Sequence, residues 1–406
     1  MKFASLISLG CAKNLIDSEI MVGQLVELGY RMTDALSEAK LILINTCGFL
    51  ESAVQEAINT ILETSRYKED GKCEQLVVAG CVVQRYGKKL PALLPEVDLF
   101  LGTSHYHQLA YILEANRSGN SRKLWIARPL HSDTRVDRVR STGTHSAYLK
   151  IAEGCDNTCS FCIIPNLRGP LRSRAEADIV AEARNLATEG VKEINLVAQD
   201  TTAYGLDRGD PLALPRLLTA LEKISGLEWV RLLYVYPDRI TDRLLQILAG
   251  SGKIVPYLDI PIQHCVPGIL ENMGRPVVDP ERIVERIRLA VPGIALRTSI
   301  MVGFPGETDS DFKKLVSFMR RVKFDHAGVF AFSPEIGTKA AKLYGRPDRE
   351  LAEGRRSELL EIQRQISRSK LRTHLGRVVD ALIEGPHPET DLLLSARLPT
   401  QAPEVD

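Results

Sequence analysis

Three cysteines lie in one short run, Cys155-Asp-Asn-Thr-Cys159-Ser-Phe-Cys162. A four-iron cluster has four irons, each needing an outer ligand, and cysteine thiolate is the usual protein ligand. A set of three therefore leaves one iron open, free to chelate a small molecule and pass it an electron. Structural zinc instead wants four ligands, commonly as two C-x-x-C pairs or a Cys/His set, and no partner pair accompanies this run. The spacing points to an iron–sulfur site with an open iron.

Five more cysteines, Cys11, Cys47, Cys73, Cys81 and Cys265, complete the set of eight. The elements around them give their meaning. Residues 3–9, 41–44, 75–79 and 98–101 read as strands, and 15–28, 51–64 and 105–115 as helices. This alternation is the signature of a parallel sheet covered by helices, whose ligands lie beyond the carboxyl ends of the strands. Cys11, Cys47 and Cys81 each follow a strand, so three thiols reach one edge of one sheet, as a second cluster site requires. Cys73 precedes its strand, and at ~3.3 Å per residue it lies roughly 25 Å from Cys81. It reads as a spectator.

Composition agrees with an ordinary globular chain. The 406 residues are 44% hydrophobic and 25% charged, with a formal net charge of +1, which gives no global electrostatic reason for a polyanionic partner. Neither a signal peptide nor a membrane-spanning run is expected. Cysteines without secretory signals point to metal ligation in a reducing cytoplasm.

Residues 119–145 are polar and read as a linker between a first domain, 1–118, and a second, 146–375. The alternation then restarts with strands near 147–152, 193–198, 230–234, 257–260, 295–302 and 327–332. Helical patterns fill 175–188, 214–224, 241–248, 280–290 and 310–322. Six βα-type units predict a partial parallel barrel with its chemistry at the carboxyl ends of the strands. The cysteine run follows the first strand. Polar groups follow others: Gln199 and Asp200, then Gln263, then Gly303 and Glu307. With Arg297 they are the expected pocket for a small-molecule cofactor and substrate.

These residues carry a family resemblance. The strings Leu9-Gly10-Cys11-Ala-Lys-Asn, Asn45-Thr46-Cys47-Gly48-Phe49 and Ala79-Gly80-Cys81, followed by the C-x-x-x-C-x-x-C barrel, resemble the radical S-adenosylmethionine methylthiotransferases. The resemblance covers nearly the whole chain. It implies two [4Fe-4S] clusters, one on Cys155, Cys159 and Cys162 and an auxiliary one on Cys11, Cys47 and Cys81. It also implies S-adenosylmethionine as cofactor and conversion of a C–H bond into C–SCH₃. The strings Ala198-Gln199-Asp200-Thr201-Thr202-Ala-Tyr204-Gly205, Asp259-Ile-Pro261-Ile-Gln263-His264 and Ile164-Pro165-Asn-Leu-Arg168-Gly169 resemble a particular branch. That branch modifies an aspartate β-carbon of small-subunit ribosomal protein S12 rather than an adenosine in tRNA. A flavodoxin or ferredoxin as reductant, a monomeric state and no membrane partner are expected with it. The alternatives are tRNA methylthiolation and a non-catalytic iron–sulfur carrier.

Two features depart from the pattern. Cys265 stands where a small residue is usual and is expected to be passive. Residues 376–406 begin what resembles a TRAM domain, but five strands of ~5 residues plus turns need on the order of 50 residues, so a truncated barrel is expected. The basic residues of the helix expected over 351–375, Arg355, Arg356, Arg364, Arg368, Lys370 and Arg372, interleave with Glu350, Glu353, Glu358 and Glu361 as on a solvated helix face, with a face toward a ribosomal substrate as the alternative.

Overall fold

A computed structural model describes residues 2–117, 122–130, 138–276, 278–387 and 389–403. Residues 119–121 and 131–137 of the expected linker, and residues 388 and 404–406 of the expected truncated barrel, lie outside these. Two compact units are present. One comprises Met1–Ser141, Glu153–Asp156 and Ile163–Arg174; the other comprises Thr142–Ala152, Asn157–Cys162 and Ala175–Asp406. The division is not linear along the chain, because the cysteine run contributes to both.

The first unit is built on β1 (Lys2–Ser8), β2 (Tyr30–Met32), β3 (Leu41–Thr46), β4 (Gln75–Gly80), β5 (Leu99–Gly102) and β6 (Leu124–Trp125), all parallel, in the order β2-β1-β3-β4-β5-β6. Its helices are α1 (Ala12–Glu27), α2 (Glu51–Ser65), α3 (Cys81–Tyr86), α4 (Leu90–Leu93) and α5 (Leu109–Arg117). Every residue of β3, Leu-Ile-Leu-Ile-Asn-Thr, is buried, as expected of a parallel strand covered on both faces. Cys73 lies in the same apolar core with Ile42, Leu76 and Phe100.

The second unit carries β7 (Ser146–Lys150), β10 (Glu193–Val197), β11 (Trp229–Leu232), β12 (Ile254–Asp259), β13 (Ala295–Val302) and β14 (His326–Ala331) in one parallel sheet, each strand beside the next in chain order. Around the cysteine run lie the two-residue strands β8 (Ala152–Glu153) and β9 (Arg172–Ser173) and the short helix α6 (Ile164–Arg168). The sheet's crossovers carry α7 (Glu176–Thr188), α8 (Ala213–Glu222), α9 (Asp242–Gly250), α10 (Pro267–Asn272), α11 (Pro280–Ala290) and α12 (Asp309–Val322). This is the topology of a partial (βα)₆ barrel. Thr308 and Asp311 start α12 with a reciprocal capping box, which satisfies two amide donors that a helix end leaves open.

Three expectations change. Strands β2 and β6 widen the first sheet beyond the four strands read from sequence. The helix α13 (Arg349–Arg372) is not a uniformly solvated face, because Arg355 is buried and pairs with Glu307 at 2.7 Å and Asp309 at 2.5 Å. The described residues after it form one antiparallel hairpin, β15 (Leu382–His387) and β16 (Thr390–Arg397), in which nothing identifies a TRAM barrel. That hairpin is tied to the amino end of the second sheet. Arg397 reaches Glu193 at the start of β10, and Arg231 of β11 donates to Glu193 at 2.9 Å and to the Pro399 carbonyl at 2.7 Å.

Candidate iron–sulfur centres

In the first unit the thiols follow three adjacent strands. Cys11 caps the amino end of α1 after β1, Cys47 directly follows β3, and Cys81 directly follows β4. Their loops are packed closely enough that only glycine fits between them. A Cβ on Gly10, at φ +110°, would stand 2.9 Å from the Cys47 Cβ, and one on Gly48 would stand 2.8 Å from the Cys81 backbone. Glycine supplies both the left-handed conformation and the missing atom. Asn45 holds the end of β3 against α1, donating to the Asn14 carbonyl and to the Ser18 hydroxyl, each at 2.8 Å. Thr46 donates to the Ala79 carbonyl at 2.6 Å and fixes β4 beside it.

The electrostatics separate the three thiols. Burial pushes Cys81 up to about 11 and also raises Cys47. Desolvation opposes ionisation of Cys11 too, yet the charges of Lys13 and Arg168 and the amides of Asn14 and Lys13 hold it below its ordinary value. Cys11 and Cys47 each raise Cys81, as neighbouring thiolates would. A bound iron–sulfur core would deprotonate the thiols that ligate it. The donor set and the glycine-lined approach of the loops fit such a cluster.

The Cys155–Cys162 run is held differently. On the first unit's side, the Cys155 amide donates to the Gly169 carbonyl at 3.1 Å, and Asp156 accepts the Leu171 amide at 3.0 Å. A Cβ on Gly154, at φ +80°, would meet the Pro170 carbonyl at 1.9 Å. Within the second unit, the Ser160 amide and hydroxyl donate to the Met273 and Asn272 carbonyls at 2.8 and 2.7 Å, and Phe161 packs on the apolar cluster of Ile269, Met273 and Phe304. Asn157 donates to Asp200 at 2.9 Å, and Arg239 donates to both Asn157 and Asp200. The Cys162 amide donates to the Cys159 carbonyl at 3.1 Å. Around Cys159 the chain places a cation: Arg275 Nη1 lies 3.6 Å from its Sγ, a distance suited to a charge-assisted contact with a thiolate. The same guanidinium stacks 4.2 Å over the Tyr236 ring, and Arg239 lies 4.8 Å from that ring. Burial raises the Tyr236 phenol well above its ordinary range, so it stays protonated.

The expected cofactor pocket is distributed unevenly. Gln199 and Asp200 follow β10, and Asp200 is buried, tied to Asn157, Arg239, Thr202 and the Ala203 amide. Gln263 sits after β12 at φ +74°, bridging to β13 by donating to the Ser299 carbonyl and accepting the Met301 amide, each at 2.8 Å. Arg297 pairs with Asp259 at 3.0 Å. Gly303 and Glu307 take part in holding α13: a Cβ on Gly303 would strike the Ala352 Cβ at 2.6 Å, and buried Glu307 accepts from the Gly303 amide and Arg355. Sequence reading passed over Arg275, Tyr236, Asn157 and Arg239. The only sequence signal for them was position after a barrel strand or in the cysteine run.

A parallel sheet of consecutive βα units with a C-x-x-x-C-x-x-C run after its first strand defines a radical S-adenosylmethionine domain, here joined to a second α/β unit with thiols of its own. Residues 149–319 match the Radical SAM superfamily, and residues 4–102 match the family described as uncharacterized protein family UPF0004. The chain is 60% identical to the ribosomal protein uS12 methylthiotransferase RimO of Syntrophobacter fumaroxidans, over 100% of this chain and 91% of that protein. It is 46% identical to the same-named protein of Anaeromyxobacter sp. strain Fw109-5, over 98% and 85%. For Geobacter sulfurreducens the identity is 44%, over 99% and 91%. Among solved structures, the radical S-adenosylmethionine methyltransferase TsrM of Kitasatospora setae superposes with a TM-score of 0.62 at 16% identity, over 81% of this chain and 73% of that one. The chain belongs to the RimO family of radical S-adenosylmethionine methylthiotransferases.

Proposed function

We propose that this protein transfers a methylthio group to ribosomal protein S12, at the β-carbon of an aspartate, using S-adenosylmethionine and two [4Fe-4S] clusters. The observation that carries the reading is the pair of separate three-thiol sets, in a chain whose similarity to relatives named for this reaction runs through both. In this reading Cys155, Cys159 and Cys162 hold one cluster, and Cys11, Cys47 and Cys81 hold the auxiliary one. When bound, these groups pass on the reductant's electron and supply the carbon radical and the methyl group, which no side chain can provide, and the auxiliary cluster holds the sulfur to be inserted.

The chain's own residues do the positioning. Arg275 offsets the charge of the Cys159 thiolate, while the Tyr236 ring stacks against the guanidiniums of Arg275 and Arg239 and holds them in place. Asp200 orders Asn157 within the cysteine run and anchors Arg239. Gln199, Asp200, Gln263, Arg297, Gly303 and Glu307 belong to the strand-end region proposed to take S-adenosylmethionine, with Gly303 and Glu307 shaping it through α13. The partner set read with this activity is ribosomal protein S12 and a low-potential reductant such as flavodoxin or ferredoxin, acting on a cytoplasmic monomer. Among the described residues no helix is long and apolar enough to cross a membrane.

The test is direct. Reconstituted protein, S-adenosylmethionine and dithionite are incubated with purified S12 or with tRNA in parallel, and each is examined by mass spectrometry. Addition of SCH₂ to an aspartate of S12 is expected. Modification of tRNA alone would overturn the substrate assignment.

A further inference from the structure

The residues just after the C-x-x-x-C-x-x-C run fold into the first unit. Ile163 and Leu167 pack with Cys81 and Phe49, and Thr103 donates to the Leu167 carbonyl at 2.5 Å. This places the last residue of α6, Arg168, deep in that unit with 2% of its surface exposed. Its Nη1 donates to Asp17 at 2.5 Å and to Glu153 at 3.3 Å, and its Nη2 donates to Asn14 Oδ1 at 3.2 Å. Asn14 lies in the first turn of α1, which Cys11 caps. Burial alone would disfavour the charge, but Asp17, Cys81, Glu153 and Cys11 more than offset it, so the guanidinium stays ionised. Long surface chains rarely place an arginine so completely inside unless it is paired. Here one cation is shared between two carboxylates and a thiol-rich loop.

We propose that Arg168 is a positioning residue of the auxiliary site: a fixed buried cation, carried by the segment that follows the other cysteine run, which raises the reduction potential of a cluster held by Cys11, Cys47 and Cys81. The proposal rests on the cluster reading of those three thiols. Adding an electron to a thiolate-ligated cluster adds negative charge, and a nearby positive charge favours that state. Removing the guanidinium does more than delete a charge, because it leaves Asp17 and Glu153 as uncompensated carboxylates in the same buried region. Both effects act in one direction. The arrangement also gives the segment after Cys162 a chemical part in the first unit.

The experiment uses the full chain with Cys155, Cys159 and Cys162 replaced by Ala, so that the auxiliary site is the only one left. Arg168→Met and Arg168→Lys are compared with Arg168 in that background. Iron and sulfide content, the electron paramagnetic resonance of the reduced protein, and the midpoint potential are measured. Arg168→Met is expected to shift the potential negative by at least a tenfold change in the reduced-to-oxidised ratio, roughly 59 mV for one electron, with Arg168→Lys close to the parent. Cluster loading in the Lys variant but not in the Met variant supports the same conclusion. Full loading of Arg168→Met at the parent potential would overturn the proposal, as would equal failure of both variants to load, which marks a purely structural role. Absence of iron from the parent itself would instead refute the cluster reading of Cys11, Cys47 and Cys81.

Discussion

The two sets of thiols are positioned by opposite means. Cys11, Cys47 and Cys81 come from distant parts of the chain and reach one edge of one parallel sheet because β1, β3 and β4 are neighbours in it. The strand ends that carry them are spaced by the ladder, in which adjacent strands lie ≈ 4.7–4.9 Å apart. Cys155, Cys159 and Cys162 are close in sequence and need no sheet to be near one another, but a loop alone does not hold them still. That rigidity is supplied by hydrogen bonds that Cys155, Asn157 and Ser160 donate and by the Leu171 amide that Asp156 accepts. A site made from strand ends is defined by the fold. A site made from one loop is defined by what grips the loop.

The largest expected effect tests whether the two sets are functionally separate. Replacing Cys155, Cys159 and Cys162 by Ala is expected to remove one four-iron cluster and all reductive formation of 5′-deoxyadenosine. Replacing Cys11, Cys47 and Cys81 is expected to remove the other cluster, stop methylthio transfer, and leave part of the cofactor cleavage. Iron analysis and chromatography of 5′-deoxyadenosine read both. Methylthiolated product from the second variant would collapse the distinction.

A smaller effect addresses how each set is held. Gly10→Ala places a Cβ 2.9 Å from the Cys47 Cβ at a backbone angle that L-residues rarely adopt. Strain of order 1–3 kcal/mol falls on the strand-end site. The variant is expected to bind about half the iron of the parent while still forming 5′-deoxyadenosine. Gly154→Ala meets the Pro170 carbonyl at 1.9 Å and is expected to produce the reverse: the loop cluster is lost and the strand-end cluster kept. Equal loss of both clusters in either variant would mean that the two sets are not held independently.

The sequence made the strand-end set legible for a physical reason. Buried parallel strands are built on continuous apolar runs, and β3 and β4 contain such runs, residues 41–44 and 76–79, with a cysteine directly after each strand. The short strands escaped for the converse reason: β2 has three residues and β6 two, too few to show a period or a run. Buried ion pairs were also hidden. Arg168 meets Asp17, and Arg355 meets Glu307, across long separations in sequence. A charged residue in a charged helix such as α13 reads as solvated until a partner on another element is known. Glu307 and Gly303 show the same limit, since polarity and glycine at a strand end predict a ligand, whereas here both also meet α13.

The two remaining cysteines provide the finest control on the comparison. Cys73 lies in the apolar core of the first unit, and burial raises its thiol. Cys265 follows His264 in the loop after β12, and burial pushes its thiol up to about 12. Cys73 precedes β4 instead of following it, and Cys265 lies outside the Cys155–Cys162 run, so neither belongs to a three-thiol set. Cys11, held below its ordinary value, differs from both in facing the charges of Lys13 and Arg168. Cys73→Ala is therefore expected to leave the iron count unchanged and to lower stability by about 1 kcal/mol through lost packing. Cys265→Ala is expected to leave iron, cofactor cleavage and product formation at parent levels. Parallel iron determination and urea unfolding measure these. A drop of a whole cluster in Cys265→Ala would give the barrel loop a fourth ligand, close its open iron, and remove the ground for placing cofactor cleavage there.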